Sequence, residues 1–210
     1  MNPQLKAFSR LVGGCLAVLL VFTLVFGGGE ARALTLDEDL TSAGKSYLSS
    51  VLKDYAKEAQ DTYGSSLKQA QKLVNGLAED LEEAADPDTK IGDRAAILTS
   101  INTSKAALTD LAASFSGLAT ETATFDSQLQ ASVEDLLKLV KGDVRTQLTQ
   151  NEDNFKKIAD TLTALANDAG KIDDANLSNL LGSVGDHITA LNTAFDVGGK
   201  ALKASASLTK

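Results

Sequence analysis

Apolar residues recur along this chain at steps of three and four, the spacing that lines one face of an α-helix. The first run takes in Leu40, Ala43, Tyr47, Val51, Tyr55, Ala59, Tyr63, Leu67, Ala70, Val74, Leu77, Leu81 and Ala84. It predicts a helix of about 45 residues, about 65 Å long if unbroken. Asp37, Glu38 and Asp39 precede it, where the positive end of the helix dipole favours acids. Gly44, Gly64 and Gly76 interrupt the run, with Gly64 the expected weak point.

Asp86-Pro87-Asp88 marks the clearest turn, because proline disfavours a helical Asp86 and the carboxylates can bond neighbouring amides. A second helix is expected to place Ile91, Ile97, Leu98, Ile101, Leu108, Leu111, Phe115 and Leu118 on its apolar side and to end at Ser116-Gly117. A third and longer pattern runs through Phe125, Leu129, Val133, Leu136, Val140, Val144, Leu148, Phe155, Ile158, Leu162 and Leu165, with Gly142 inside it and Gly170 as its cap. Gln147 and Asn151 fall near this stripe, which predicts a wet or loose stretch there, or a pairing of the two amides. The fourth helix opens at Asp173 or Asp174 and carries Leu177, Leu181, Val184, Ile188, Leu191, Phe195 and Leu202, with Gly198-Gly199 fraying it and a disordered tail over 204–210.

The expected fold is therefore all-α: an elongated antiparallel four-helix bundle over 34–203, its helices alternating long, short, long, short. The halves also resemble each other. Lys72–Asp80 is similar to Asp160–Asp168, Lys90–Asp93 to Lys171–Asp174, and Ala107–Phe115 to His187–Phe195. This suggests a duplicated helical hairpin, although amphipathic helices built from the same few residue types would look alike without one.

Composition adds a destination. Lys6 and Arg10 precede an uncharged, mostly apolar stretch from Leu11 to Phe26, then three glycines and Ala31-Arg32-Ala33. This order is that of a cleavable secretory signal over residues 1–33, cut after Ala33. An apolar run of 16 residues is short for a membrane span of about 20. Cys15 precedes most of that run, so it is read as part of the signal and not as a lipid attachment site. Cleavage removes the only Cys and the only Met and shifts the net charge from −8 to −10, since Lys6, Arg10 and Arg32 leave with Glu30. The acidic balance argues against nucleic acid and anionic lipid, both of which attract Lys and Arg.

Little chemistry remains. Without a mature Cys there is no thiol nucleophile or thiolate metal site. His187 is the single histidine, expected at the surface or in a capping role, and expected to meet a serine only from another helix. Haem ligation and a di-iron Glu-x-x-His pattern both lack their residues. Asp86-x-Asp88 opens like a calcium loop but continues with Lys90 and Ile91 where a ligand and a glycine belong. Tyr47, Tyr55 and Tyr63, eight apart, are read as packing residues before a ligand cage. Asn102-Thr103-Ser104 and Asn176-Leu177-Ser178 match a glycosylation pattern that arises often by chance inside helices.

No catalytic, cofactor-binding or metal-ligating residue is assigned. The expectation is a non-enzymatic helical protein, exported to a periplasm, a thylakoid lumen or the exterior, that docks on a partner or on itself. It would touch a membrane only through its signal. A membrane-active bundle is the alternative, disfavoured by the acidic faces.

Overall fold

A computed structural model describes residues 33–137 and 144–207. Four helices fill almost all of that range: α1 (Ala33–Ala85), α2 (Ile91–Leu137), α3 (Val144–Ala169) and α4 (Leu177–Ser207), and no strand occurs among the described residues. Each helix packs against two neighbours in the cyclic order α1, α2, α3, α4, which closes an antiparallel four-helix bundle. Residues 1–32 of the expected signal over 1–33, the side chains of Leu40, Ala43, Val133 and Leu136, all of Val140 and Gly142, and the last three residues lie outside the described part.

The stripes read from the sequence do face inward. Val51, Tyr55, Ala59, Tyr63, Ala70, Val74, Leu77, Leu81 and Ala84 of α1 are all buried. From α3 come Val144, Leu148, Phe155, Ile158, Leu162 and Leu165, and from α4 Leu177, Val184, Leu191, Phe195 and Leu202. Helix α1 runs unbroken through Gly64, where its neighbours leave open space.

The lengths differ from the expected alternation. The four helices have 53, 47, 26 and 31 residues, so the two long ones come first. Gly117 does not cap α2; it lies on the exposed side of a helix that continues to Leu137, so Phe125 and Leu129, expected at the head of the third helix, belong to α2. The cause is packing on both sides of it. Leu111, Phe115, Leu118, Thr122, Phe125 and Leu129 are buried at helical steps straight across Gly117. A mid-helix glycine costs roughly 1 kcal/mol relative to alanine, far less than the burial of several large side chains. Thr122 hid this continuity, because a polar residue in the stripe reads as a gap.

The two inter-helix turns among the described residues lie at one end of the bundle. In the first, Asp86 Oδ1 accepts the Asp88 amide at 2.9 Å and the Thr89 hydroxyl donates to the Glu83 carbonyl at 2.7 Å. In the second, Asp173 and Asn176 cap each other: Asp173 Oδ1 accepts the Asn176 amide at 2.9 Å, and Asn176 Oδ1 accepts the Asp173 amide at 2.8 Å. Asn176 Nδ2 also donates to the Lys171 carbonyl at 2.6 Å. This turn delays the start of α4 to Leu177 and tucks Ile172 into the core, 2% exposed. The other end of α4 reaches Ser207, past the expected limit at Lys203, because Leu202 and Ser205 both face the interior.

Candidate functional site

Four buried polar side chains, one from each helix, meet inside the bundle: Tyr55, Thr122, Asn151 and Ser205. Thr122 donates to the Leu118 carbonyl at 2.8 Å, so the Tyr55 hydroxyl, 3.1 Å away, donates to Thr122. Asn151 Nδ2 in turn donates to the Tyr55 oxygen at 3.4 Å and to Ser205 Oγ at 2.8 Å. The Ser205 hydroxyl donates to the Ala201 carbonyl at 3.1 Å, and Gln147 Nε2 donates to Asn151 Oδ1 at 3.4 Å. Every hydrogen-bonding group of the Asn151 side chain therefore has a partner, as burial demands. Of the readings the sequence offered for Gln147 and Asn151, the amide pairing is the one observed. The partners on α1, α2 and α4 were not visible from spacing within α3.

Toward the turn end sits an aromatic layer, again drawn from all four helices. Tyr63 meets Phe115 edge to face, with centroids 5.9 Å apart, and meets Phe155 at 5.6 Å; Phe115 lies 6.2 Å from Phe195. Phe115 and Phe195, matched in the comparison of the two halves, occupy this one layer. The Tyr63 hydroxyl donates to the Phe195 carbonyl at 2.6 Å. Burial pushes its pKa up to about 12, partly offset by the backbone amide of Gly199. Tyr55 stacks on Phe125, centroids 4.5 Å apart and rings nearly parallel. Burial also raises the Tyr55 phenol, against the lowering effect of its bonds to Thr122 and Asn151. Tyr55 and Tyr63 are thus packing residues, and Tyr47 is partly buried against the same core.

His187 has company that the sequence reading placed wrongly. Its serine comes from its own helix: Ser183, one turn earlier, lies 3.4 Å from His187 Nε2. Residues four apart share a helix face, so this neighbour was legible. Asp168 of α3 completes the group, accepting the Ser183 hydroxyl at 2.5 Å with its Oδ2 3.3 Å from His187 Nε2. Three residue types of a hydrolytic triad are present, but their order is wrong. A relay needs serine on one ring nitrogen and the carboxylate on the other. Here serine and carboxylate approach the same nitrogen, and the serine proton already points at Asp168. The arrangement ties α3 to α4.

Two half-buried acids face each other between α1 and α2. Burial raises the pKa of Glu58, and the charge of Asp54 adds to it; burial and then the charge of Glu58 raise that of Glu121. Among the described residues no three His, Cys, Asp or Glu side chains gather as a metal-holding group, and no helix is long and apolar enough to cross a membrane.

Two grooves on the outer surface are lined by described residues. One, of about 490 Å³, runs between α1 and α2 past Leu73, Gly76, Ser104 and Ala107. The other, of about 470 Å³, lies at the turn end between the start of α2 and the α3–α4 turn, lined by Ile91, Ala95, Leu98, Ile172, Asp173 and Asp174. Ile91, expected on the apolar side of α2, is 83% exposed. It stands at the lip of this groove because it precedes the first turn of α2 that packs against the core. The chain matches no protein-family model, no curated protein and no solved structure.

Proposed function

We propose that this chain is an exported helical bundle that acts by docking on a partner protein and not by catalysis. The polar layer of Tyr55, Thr122, Asn151 and Ser205 carries the reading. Side chains that could do chemistry are bonded to one another across the core, where they hold four helices in fixed relation. The described residues offer outward a set of helical faces and shallow grooves, the kind of surface that receives a partner's helix or turn. The Ser183–His187–Asp168 geometry fits the same reading, since it joins two helices and presents no activated nucleophile. Export rests on the sequence of residues 1–33, and the compartment is a periplasm, a thylakoid lumen or the exterior.

Native co-purification from the exported fraction, combined with the solution mass of the purified chain, tests this. The expected result is a defined complex larger than the monomer. A stable monomer that brings down no partner would sink the proposal.

A further inference from the structure

The turn end of the bundle is where the charge of the chain resides. Residues 79–94 hold seven carboxylates against Lys90 and Arg94, and residues 168–174 hold three against Lys171. Seven of the ten net negative charges expected of the cleaved chain therefore belong to these two segments, and the rest of that chain carries three. The segments are brought together in space: Arg94 Nη1 lies 3.9 Å from Asp174 Oδ1, and Asn102 Nδ2 is 3.5 Å from the Gly170 carbonyl. The apolar groove of Ile91, Ala95, Leu98 and Ile172 opens within this field, with Asp173 and Asp174 on its rim.

Two independent properties of the groove describe its occupant. Its floor is closed core, since Leu98 and Ile172 are 6% and 2% exposed, but Ile91 at the lip is 83% exposed and lacks apolar cover. An exposed isoleucine alone is ordinary; one that borders a groove adds to a single apolar surface. Asp173 and Asp174 make the rim acidic; among the described residues Arg94 pairs with it, Nη1 3.9 Å from Asp174 Oδ1, and the Lys105 side chain lies over Gly170 behind it. Charge complementarity therefore calls for a segment whose apolar side chain covers Ile91 while its lysines or arginines meet the rim. An acidic or neutral helix would meet repulsion or gain nothing there.

We propose that this groove docks a basic amphipathic segment of the partner protein, its apolar side against Ile91 and its cations against Asp173 and Asp174. The inference rests on the docking reading above and gives it a surface and a partner chemistry. It differs from the α1–α2 groove, whose lining mixes Lys72 with Asp80 and Asp110 and has no large aliphatic residue as exposed as Ile91.

The test uses a fluorescein-labelled 14-residue peptide of Leu and Lys at helical spacing, titrated against the purified chain by fluorescence polarisation. A second peptide carries Ser in place of Leu and keeps the charge. Ile91→Ser should weaken binding of the Leu/Lys peptide by about tenfold, the scale expected for uncovering one large aliphatic side chain. Val197→Ser, which alters the other large aliphatic residue exposed among the described residues, should leave it unchanged. The Ser/Lys peptide should bind the wild-type chain about tenfold more weakly, and added salt should weaken both. Equal binding of the two peptides, or wild-type affinity in Ile91→Ser, overturns the site. Circular dichroism of Ile91→Ser checks that the bundle still folds, as the exposure of Ile91 predicts. Co-purification separates this proposal from the broader one. A native partner recovered equally by wild type and Ile91→Ser overturns the groove and leaves docking intact. Recovery of no partner by the wild type removes the docking reading and the groove with it.

Discussion

Gly198 and Tyr63 show how far one atom can govern the contact between two helices. A Cβ at position 198 would lie 2.7 Å from the Tyr63 hydroxyl oxygen and 3.2 Å from the ring carbon that bears it. The ring cannot swing away, because Phe115 and Phe155 hold it from two sides. Gly198→Ala should therefore destabilise the bundle by about 1–3 kcal/mol, the usual cost of overpacking, despite the better helix propensity of alanine. Tyr63→Phe removes the obstructing oxygen together with its hydrogen bond, worth about 1 kcal/mol. The double variant should be more stable than the sum of the two single losses allows, which denaturant unfolding of all four proteins measures as a coupling energy. From the sequence, Gly198-Gly199 suggested fraying. The requirement at 198 comes from a residue 135 positions earlier, and no local pattern carries it.

At the scale of the helices, spacing revealed which residues face inward far better than it revealed where a helix stops. The stripes of α1 and α4, and that of α3 from Val144 onward, were legible because burial on one face leaves a period in the sequence. Ends were not, because a glycine in a stretch packed on both sides stays helical, as Gly117 does. That correction is open to a direct check. Gly117 is exposed, has open space around it and is helical, so Gly117→Ala should stabilise the chain by about 0.5–1 kcal/mol. Had Gly117 been a left-handed cap, the same change would destabilise, so thermal unfolding of this one variant decides between the two. The α1–α2 pairing also carries a pH dependence. The folded-state pKa values of Glu58 and Glu121 lie above their ordinary 4.5, so the folded state holds protons there more tightly than the unfolded chain does. Their contribution to stability is complete below about 4.5 and is lost as pH rises through the raised values. Glu121→Gln should remove part of that loss. The gain in melting temperature of the variant over wild type should be larger at pH 7 than at pH 4, and a gain that is the same at both would contradict the assignment.

For the molecule as a whole, residues 1–33 and the bundle make separate claims. Cleavage after Ala33 should leave a chain that begins at Leu34 and contains no cysteine, which intact mass and N-terminal sequencing of the exported protein would establish. An intact N-terminus would count against a cleaved signal. The acidic end of the bundle does not depend on residues 1–33, since residues 79–94 and 168–174 lie far from them in sequence. The two internal layers have a further consequence for assembly. Measured along the chain, the polar and aromatic members are eight residues apart on α1, seven on α2, four on α3 and ten on α4. Unequal intervals of this kind work like a vernier: the marks coincide at one setting only. A one-turn slip of α3 would bring Phe155 toward the position of Asn151, so that a ring would fall among hydroxyls and the aromatic layer would lose a member. Helices rich in alanine, serine and threonine could slide past one another at small cost. Two rows of marks that agree only once give this bundle a single alignment in which to close.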